Sequence, residues 1–372
     1  MEAKGETQWS SIIVPSVQEM VKEKMITTVP PRYVQSDQEK SGVTSDSGLI
    51  PEIPIIDMKR LCSPTSVDSD SELVNHGIDA SFMDKTKLEI QDFFNLPMEE
   101  KKKFWQQPDE MEGFGQAFVM SEDQKLDWSD MFFFIVQPAQ LRKPHLFPKL
   151  PLPFRFCMHT NVLTFSTISQ NYLCLHFLMF FRDTLEMYSA QVKSIAKILI
   201  AKMGEALQIK PEEIEKIFGD DMFQSMRMNY YPPCPEPHQV IGVTPHSDAA
   251  ALTILLQVND VEGLQIKKDG KWVFVKPLPN AFIVNVGDVL EIITNGIYKS
   301  IEHRVVVNSE KERLSFATFH NPGLNKEISP AKSLVENQKK CAKFKSLMTK
   351  DYLKGLFSRE LYGKAYLDAL RI

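Results

Sequence analysis

The stretch ALTILLQVNDVEGLQIKKDGKWVF, residues 251–274, decides the fold class of this chain. It holds three short apolar segments separated by polar residues, a pattern typical of consecutive β-strands. The dipeptide Asp269-Gly270 stands between the last two segments and predicts a two-residue hairpin turn, because a type I′ turn needs a positive φ at both positions. The stretch therefore predicts antiparallel strands joined by tight turns.

Similar segments flank this stretch on both sides. Further strands are predicted in SMRMNYY (225–231), AFIVNV (281–286), HRVVVN (303–308) and RLSFATFH (313–320), with a short one in IPIID (53–57). No long helical pattern separates the segments after residue 222, so a sandwich or barrel is favoured over parallel β-α-β topology. Helices are predicted elsewhere, over 14–24, 84–94, 98–104, 185–207, 211–218 and within 333–371.

The composition argues against several classes of protein. The 372 residues include 43 basic and 48 acidic side chains, a net charge of -5 that disfavours a nucleic-acid partner. The hydrophobic fraction of 43% is that of a soluble globular chain rather than a disordered one. The longest uncharged stretch, 156–181, holds many polar residues, so no membrane span is predicted. Five cysteines without a C-x-x-C pair, and no secretory signal, favour a cytosolic location.

An H-x-D pattern, His246 and Asp248, immediately precedes the stretch that decides the fold. Side chains two residues apart on a strand point to the same face, so this imidazole and carboxylate can reach one point. His303 begins another predicted strand, and two histidines with one carboxylate form the facial triad of non-haem Fe(II) oxygenases. The H-x-D pattern alone is weak evidence, since a chance match among eight histidines is about a two-in-five event.

A second pair of residues strengthens this interpretation. Arg313 follows His303 by ten positions, and Ser315 shares its strand face. The planar fork of an arginine grips a carboxylate with two hydrogen bonds, as a dicarboxylate cosubstrate would require. The alternative for Arg313 is a surface arginine, and its combination with the triad favours the functional interpretation.

Motifs along nearly the whole chain resemble the plant 2-oxoglutarate/Fe(II)-dependent dioxygenase superfamily, and most closely its senescence-related branch, which includes alkaloid O-demethylases. These motifs include MRMNYYPPCP (226–235), NVGDVLEIITNG (285–296), SIEHR (300–304), ERLSFATFH (312–320) and the N-terminal IPIIDM, LVNHGID, FFNLPMEEK and EGFGQAF. The resemblance implies an α+β fold with a mainly β core. That core would be a double-stranded β-helix, or jelly roll, flanked by N- and C-terminal helices.

The resemblance also implies roles for individual residues. The Fe(II) ligands, which are the catalytic residues, would be His246, Asp248 and His303. The residues that bind 2-oxoglutarate would be Arg313, Ser315, Tyr231 and Asn229. Phe319 matches a position that stacks on the substrate ring in flavonoid-acting relatives, and its alternative role is core packing.

The implied activity is oxidation of a small plant specialised metabolite by hydroxylation or O-demethylation. The cofactors and cosubstrates would be Fe(II), 2-oxoglutarate and O₂, with succinate and CO₂ released and ascorbate as reductant. The expected partner is a small-molecule substrate, with no nucleic acid or membrane, and the chain is expected to be a monomer. Two alternatives stay open. One is an oxidase that uses another reductant, and the other is a catalytically impaired or vestigial ligand-binding relative.

Two departures from the family pattern motivate the second alternative. A helix and the start of a strand that relatives carry before LVNHG are absent from DSDSELVNHGID (68–79). In addition, 27 residues, Phe156–Arg182, separate segments that adjoin in relatives. Their amino-acid composition resembles that of translated non-coding sequence, so we hypothesise a retained intron or a gene-model error.

These observations predict six regions. They are a leader (1–50), an N-terminal dioxygenase region (51–155), an atypical insert (156–182), a helical connector (183–221), a jelly-roll core for Fe(II) and 2-oxoglutarate (222–322) and a C-terminal helical tail (323–372).

Overall fold

The computed structural model of the chain describes residues 11–22, 28–35, 53–62, 72–107, 110–147, 180–360 and 362–372. Within these ranges the helices are α1 (Val17–Lys22), α2 (Met58–Leu61), α3 (Ala80–Asn95), α4 (Met98–Lys101), α5 (Phe180–Ala206), α6 (Pro211–Phe218), α7 (Asp288–Ile293), α8 (Lys332–Gln338), α9 (Thr349–Phe357) and α10 (Ala365–Asp368). Most of the predicted insert, residues 156–179, and much of the predicted leader lie outside the described residues. None of the described helices is long and apolar enough to cross a bilayer.

The described strands are β1 (Ile55–Asp57), β2 (Glu72–Val74), β3 (Gly113–Gly115), β4 (Asp130–Gln137), β5 (Phe223–Tyr231), β6 (Val243–His246), β7 (Leu252–Gln257), β8 (Leu264–Lys268), β9 (Lys271–Phe274), β10 (Phe282–Val286), β11 (His303–Val305), β12 (Arg313–Asn321), β13 (Glu327–Ile328) and β14 (Leu347–Met348). The larger sheet has the order β1-β2-β10-β7-β12-β5-β4-β3, and the smaller has the order β6-β11-β8-β9. Strands of both sheets line one cavity between them. This arrangement confirms the predicted α+β jelly roll.

The hairpin predicted at Asp269-Gly270 joins β8 to β9. Asp269 has a φ of 49° and Gly270 a φ of 76°, and Lys268 and Lys271 are paired across the turn. Antiparallel pairing extends through the β segments after residue 222, as predicted. Among the described strands, β1 pairs with β2 in parallel, which the sequence did not predict.

Strand β12 separates the helical layer from the interior of the jelly roll. Its even-numbered residues face the helices, where the Tyr188 ring of α5 stacks on Phe316 with ring centroids 5.0 Å apart. Its odd-numbered residues, from Arg313 to Phe319, line the cavity between the sheets. Because side chains alternate along a strand, burial of Phe316 under α5 fixes which residues face that cavity.

Strands β3 and β4 extend the larger sheet and were not predicted. The segment DMFFFIVQ of β4 is apolar almost throughout, so it lacks the alternation that identifies a half-exposed strand. Both of its faces are covered. Phe132 stacks on Phe93 of α3 with centroids 4.7 Å apart, while Phe133 lines a cavity on the opposite face.

The predicted helix over 14–24 begins at Val17 in the structure, three residues later than predicted, and is described as far as Lys22. The buried carboxylate of Asp130 fixes this start, because it accepts hydrogen bonds from the Ser16 hydroxyl and the Val17 and Gln18 amides. The described parts of the leader pack against the rest of the fold. The Tyr33 ring lies edge-on to the Trp128 ring, with ring centroids 5.3 Å apart.

The missing N-terminal segment falls between β1 and β2. These strands share three residue pairs, and residues 63–71 between them lie outside the described residues. Loss of a helix from this region would leave apolar surface uncovered, and this stays a prediction because residues 63–71 lie outside the described residues.

Gly287, at the start of α7, should be far less tolerant of substitution than Gly270. A Cβ at Gly287 would lie 2.1 Å from the carbonyl oxygen of Ala250 and 2.8 Å from that of Asp248. We expect Gly287→Ala to lower the free energy of unfolding by about 3 kcal/mol or more. A Cβ at Gly270 would have no other atom within 4 Å. Gly270→Ala should therefore lower the free energy of unfolding by about 1 kcal/mol, through the positive φ alone. Urea denaturation measures both, and equal losses would contradict the packing described around Asp248.

Candidate metal centre and adjoining cavities

Pairing of β6 with β11 brings the two predicted histidine ligands together. His246 ends β6, His303 begins β11, and the two are direct partners across the sheet. Asp248 follows β6 by two residues, and its Oδ1 lies 3.7 Å from Nε2 of each histidine. One potential ligand atom from each side chain lies within 4.8 Å of the others. The three side chains can therefore approach one metal ion from one side.

Backbone carbonyls orient the two imidazoles. His246 Nδ1 lies 2.8 Å from the Thr244 oxygen, and His303 Nδ1 lies 3.1 Å from the Ile301 oxygen. Donation from Nδ1 to these carbonyls leaves each Nε2 with a free lone pair facing Asp248. This is the tautomer that a metal ligand needs.

The electrostatics of the site favour metal-binding protonation states. Burial, followed by the proximity of His303, lowers the pKa of His246 to about 3, so this imidazole is neutral at physiological pH. Burial alone would raise the pKa of Asp248, but the two imidazoles hold it below its ordinary value. Asp248 Oδ2 is buried and accepts no hydrogen bond from the described residues. A neutral imidazole, a carboxylate and an unsatisfied oxygen fit a divalent cation.

The C-terminal tail braces the H-x-D segment. The Gly363 amide donates to Pro245, and the Ser247 amide donates to Gly363, so the tail pairs alongside His246. On the other side, the Ser247 hydroxyl donates to Asp288 at the start of α7. The segment that carries His246 and Asp248 is thus held from two directions.

Glu291 of α7 fastens this tail. Its side chain is 2% exposed and accepts hydrogen bonds from Lys364 and Arg371 of the tail, at 2.7 and 2.9 Å. It also accepts from the amide and hydroxyl of Ser300, just before β11. One buried carboxylate therefore links α7, the approach to β11 and the tail.

A cavity of about 50 Å³ between the two sheets contains every residue to which the sequence analysis assigned a role. Its lining includes Asn229, Tyr231, His246, Asp248, His303, Arg313, Ser315 and Phe319. Register explains the grouping, because β5 and β12 pair Tyr231 with Arg313 and Asn229 with Ser315. We call this space the polar cavity.

Arg313 is a fully buried cation in the wall of the polar cavity. It is 1% exposed, donates to Gln257 Oε1 at 2.7 Å and lies with its guanidinium 5.1 Å from the Tyr231 ring centre. Its Nε has no hydrogen-bond partner, and no carboxylate forms an ion pair with it among the described residues. A buried cation in this state fits an incoming carboxylate.

A second cavity, of about 90 Å³, is also lined by His246 and Asp248. Its walls are largely apolar and come from β4, β5, α9 and the loop after β3. Phe118 of that loop stacks on Phe357 of α9 with centroids 5.6 Å apart. Phe319 lines both cavities. We call this space the apolar cavity.

The sequence analysis missed several residues of these cavities. Arg227 lines both, and strand alternation could have identified it, because it lies two residues before Asn229 and four before Tyr231. Phe118 and Phe357 carried no usable signal, since only the tertiary fold joins positions so far apart in the chain.

Two family models match the chain. The 2OG-Fe(II) oxygenase superfamily matches residues 222–322, and the non-haem dioxygenase in morphine synthesis N-terminal family matches residues 71–150. Protein SRG1 of Arabidopsis thaliana is 70% identical over the full length of both chains. Oxoglutarate-dependent flavonoid 7-O-demethylase 1 of Ocimum basilicum is 48% identical, covering 97% of this chain and 92% of that protein. Thebaine 6-O-demethylase of Papaver somniferum is 46% identical, covering 96% of each.

The solved structures give a similar picture. The crystal structure of JOX2 in complex with 2OG, Fe and JA has a TM-score of 0.80 and 29% sequence identity. It covers 98% of this chain and 100% of its own. The described fold is therefore similar to one that holds iron and 2-oxoglutarate together.

Replacing Glu291 should release the tail and destabilise the protein. Glu291→Gln removes the charge that pairs with Lys364 and Arg371, so we expect the free energy of unfolding to fall by about 2 kcal/mol or more. Asp368→Asn is the matched control, because Asp368 also contacts Arg371 but is 60% exposed. Its effect should stay within about 0.5 kcal/mol. Urea denaturation and limited proteolysis of the tail measure the difference. Equal effects would show that Glu291 does not fasten the tail.

Proposed function

The chain belongs to the 2OG-Fe(II) oxygenase superfamily, and on this premise we propose that it oxidises a small, ring-containing plant metabolite by hydroxylation or O-demethylation. The reaction would consume 2-oxoglutarate and O₂ and release succinate and CO₂. One observation carries the proposal: His246 and Asp248 line both a polar cavity, whose Arg313 forms no ion pair with the described residues, and an apolar cavity with aromatic walls.

In this proposal His246, Asp248 and His303 hold Fe(II). Bound iron supplies the activation of O₂, with 2-oxoglutarate as the electron source. The protein contributes orientation. The carbonyls of Thr244 and Ile301 orient the imidazoles, and the tail forms two backbone hydrogen bonds with the H-x-D segment.

Arg313, Ser315 and Tyr231 would bind the distal carboxylate of 2-oxoglutarate in the polar cavity. Asn229 would approach the cosubstrate nearer the metal, and its Oδ1 is buried without a hydrogen-bond partner. With the cosubstrate held there, the apolar cavity stays available for the substrate. Phe319, at the boundary of the cavities, would pack against the substrate ring.

Two relatives named as O-demethylases support O-demethylation as one of the candidate reactions. The proposal also includes ascorbate as reductant, a monomeric chain, a cytosolic location and the absence of nucleic-acid and membrane partners. It further includes the division of the chain into the six regions predicted from its sequence.

The activity can be tested with Fe(II), 2-oxoglutarate, ascorbate, air and a panel of flavonoids and alkaloids with and without methyl ethers. We expect substrate-dependent succinate release, with formaldehyde wherever a methyl ether is cleaved. His246→Ala should reduce succinate to background because it removes a metal ligand. The exposed His238 provides a matched control, and His238→Ala should retain activity. Folded, iron-loaded protein that releases no succinate with any member would contradict the proposal and favour the vestigial alternative.

Arg313 should control the affinity for 2-oxoglutarate without controlling that for the metal. Arg313→Gln keeps a polar side chain but removes the charge, so we expect the Kd of 2-oxoglutarate to rise by about 30-fold or more. Calorimetric titration of Mn(II)-loaded protein measures this Kd, and Mn(II) affinity should change little. Arg359→Gln, on an exposed arginine near Tyr366, is the control. An unchanged Kd in Arg313→Gln would exclude the proposed role.

A further inference from the structure

The segment 116–126, between β3 and β4, contributes Ala117 and Phe118 to the wall of the apolar cavity without belonging to a helix or a strand. Backbone groups in such a segment need hydrogen-bond partners outside the sheet. Several of these partners are in the leader. The leader residues Ser11, Ile12, Arg32 and Gln35 form hydrogen bonds with backbone groups of Gln116, Val119, Ser121, Gln124 and Leu126. The leader therefore supports this part of the cavity wall.

Ser11 makes two of these hydrogen bonds with its side chain alone. Its hydroxyl donates to the Gln116 carbonyl at 2.9 Å and accepts from the Val119 amide at 3.2 Å. In an ordinary β-turn, a carbonyl and an amide three residues apart bond directly to each other. Here the hydroxyl lies between them, and Ser11 is buried. The turn 116–119 is therefore closed by a residue that lies 105 positions before Gln116 in the chain.

This turn holds Phe118 in an uncommon backbone conformation. The φ of Phe118 is 61°, in the left-handed region that bulky side chains rarely adopt. Such a conformation persists only where surrounding contacts maintain it. The Phe118 ring stacks on Phe357 across the wall of the apolar cavity, with 25° between the ring planes. Gln124 also donates to the Phe118 carbonyl, so loss of the Ser11 hydroxyl should loosen the turn rather than unfold it.

We propose that Ser11 is a positioning residue for the substrate, and that it acts by holding Phe118 in the wall of the apolar cavity. This inference rests on the proposed function, since it assigns the apolar cavity to the substrate. The Phe118 ring would pack against a planar ring system of the substrate. None of the described residues that line the polar cavity comes from the turn 116–119. Ser11 should therefore influence the substrate without influencing the metal or 2-oxoglutarate.

The test measures binding of 7-methoxyflavone, a planar methyl ether of the kind included in the activity panel. The full chain is loaded with Mn(II) and 2-oxoglutarate and titrated by calorimetry, since Mn(II) allows binding to be measured without turnover. We expect Ser11→Ala to raise the Kd of 7-methoxyflavone by about 10-fold, because the aromatic wall is no longer held. The Kd values of Mn(II) and 2-oxoglutarate should change by less than about 2-fold. Ser11→Thr keeps the hydroxyl and should restore most of the affinity for 7-methoxyflavone.

Ser16→Ala is the matched control. Ser16 is a leader serine as buried as Ser11, but its hydroxyl donates to Asp130 instead of the turn, so its loss should leave the Kd of 7-methoxyflavone unchanged. A double-mutant cycle tests whether Ser11 acts through Phe118. Phe118→Ala should itself weaken binding, and Ser11→Ala added to it should contribute less than about 2-fold more. Hydrogen exchange of the Val119 amide should become about 10-fold faster in Ser11→Ala and stay unchanged in Ser16→Ala.

Several results would overturn the inference. They are an unchanged Kd of 7-methoxyflavone in Ser11→Ala, an equal loss of affinity in Ser16→Ala, independent effects of Ser11→Ala and Phe118→Ala, and a parallel loss of 2-oxoglutarate affinity. Wild-type protein that binds Mn(II) and 2-oxoglutarate but not 7-methoxyflavone, up to the solubility limit of the flavone, would also overturn it. Failure of the wild type to bind Mn(II) and 2-oxoglutarate would instead refute the proposed function. The two failures are therefore distinguishable.

Discussion

The antiparallel pairing of β6 with β11 is the constraint on which the candidate site depends. It sets His303 directly opposite His246 and leaves Asp248 just beyond the strand end, within 3.7 Å of both imidazoles. A shift of one residue would turn one histidine to the opposite face of the smaller sheet. The elements around this pair therefore serve to hold its register. The backbone of the tail at Gly363, the start of α7 and the buried carboxylate of Glu291 all contact the H-x-D segment or the approach to β11.

The larger sheet divides the chemistry into two regions. Arg313 and Ser315 lie at one end of β12 and Phe319 lies near the other, so a single strand spans the polar cavity and reaches the apolar one. The helices on the outside fix which residues of β12 face inward, since Tyr188 of α5 covers Phe316. Cosubstrate binding and substrate binding are thus proposed for adjacent spaces that meet at the triad.

More of the architecture could be predicted from sequence within the jelly roll than in the part of the chain that precedes it. The hairpin at Asp269-Gly270 and the alternation of β5 and β12 are local signals, and they placed the strands that carry the predicted site residues. Strand β4 was missed because burial on both faces removes alternation, and the parallel pairing of β1 with β2 depends on contacts distant in sequence. The cavity wall formed by Phe118 and Phe357 likewise has no local signature. Arg227 was within reach of strand periodicity, but only the structure shows that it lines both cavities.

The central claim is that His246, Asp248 and His303 assemble one iron site to which 2-oxoglutarate can bind, despite the missing N-terminal segment and the insert. The most direct measurement is the visible charge-transfer band of the Fe(II)–2-oxoglutarate chelate during anaerobic titration of the full chain. The account predicts a band that saturates at one iron per chain in the wild type and is absent from folded His303→Ala. Folded wild-type protein that develops no band, or a His303→Ala variant that retains it, would contradict the account.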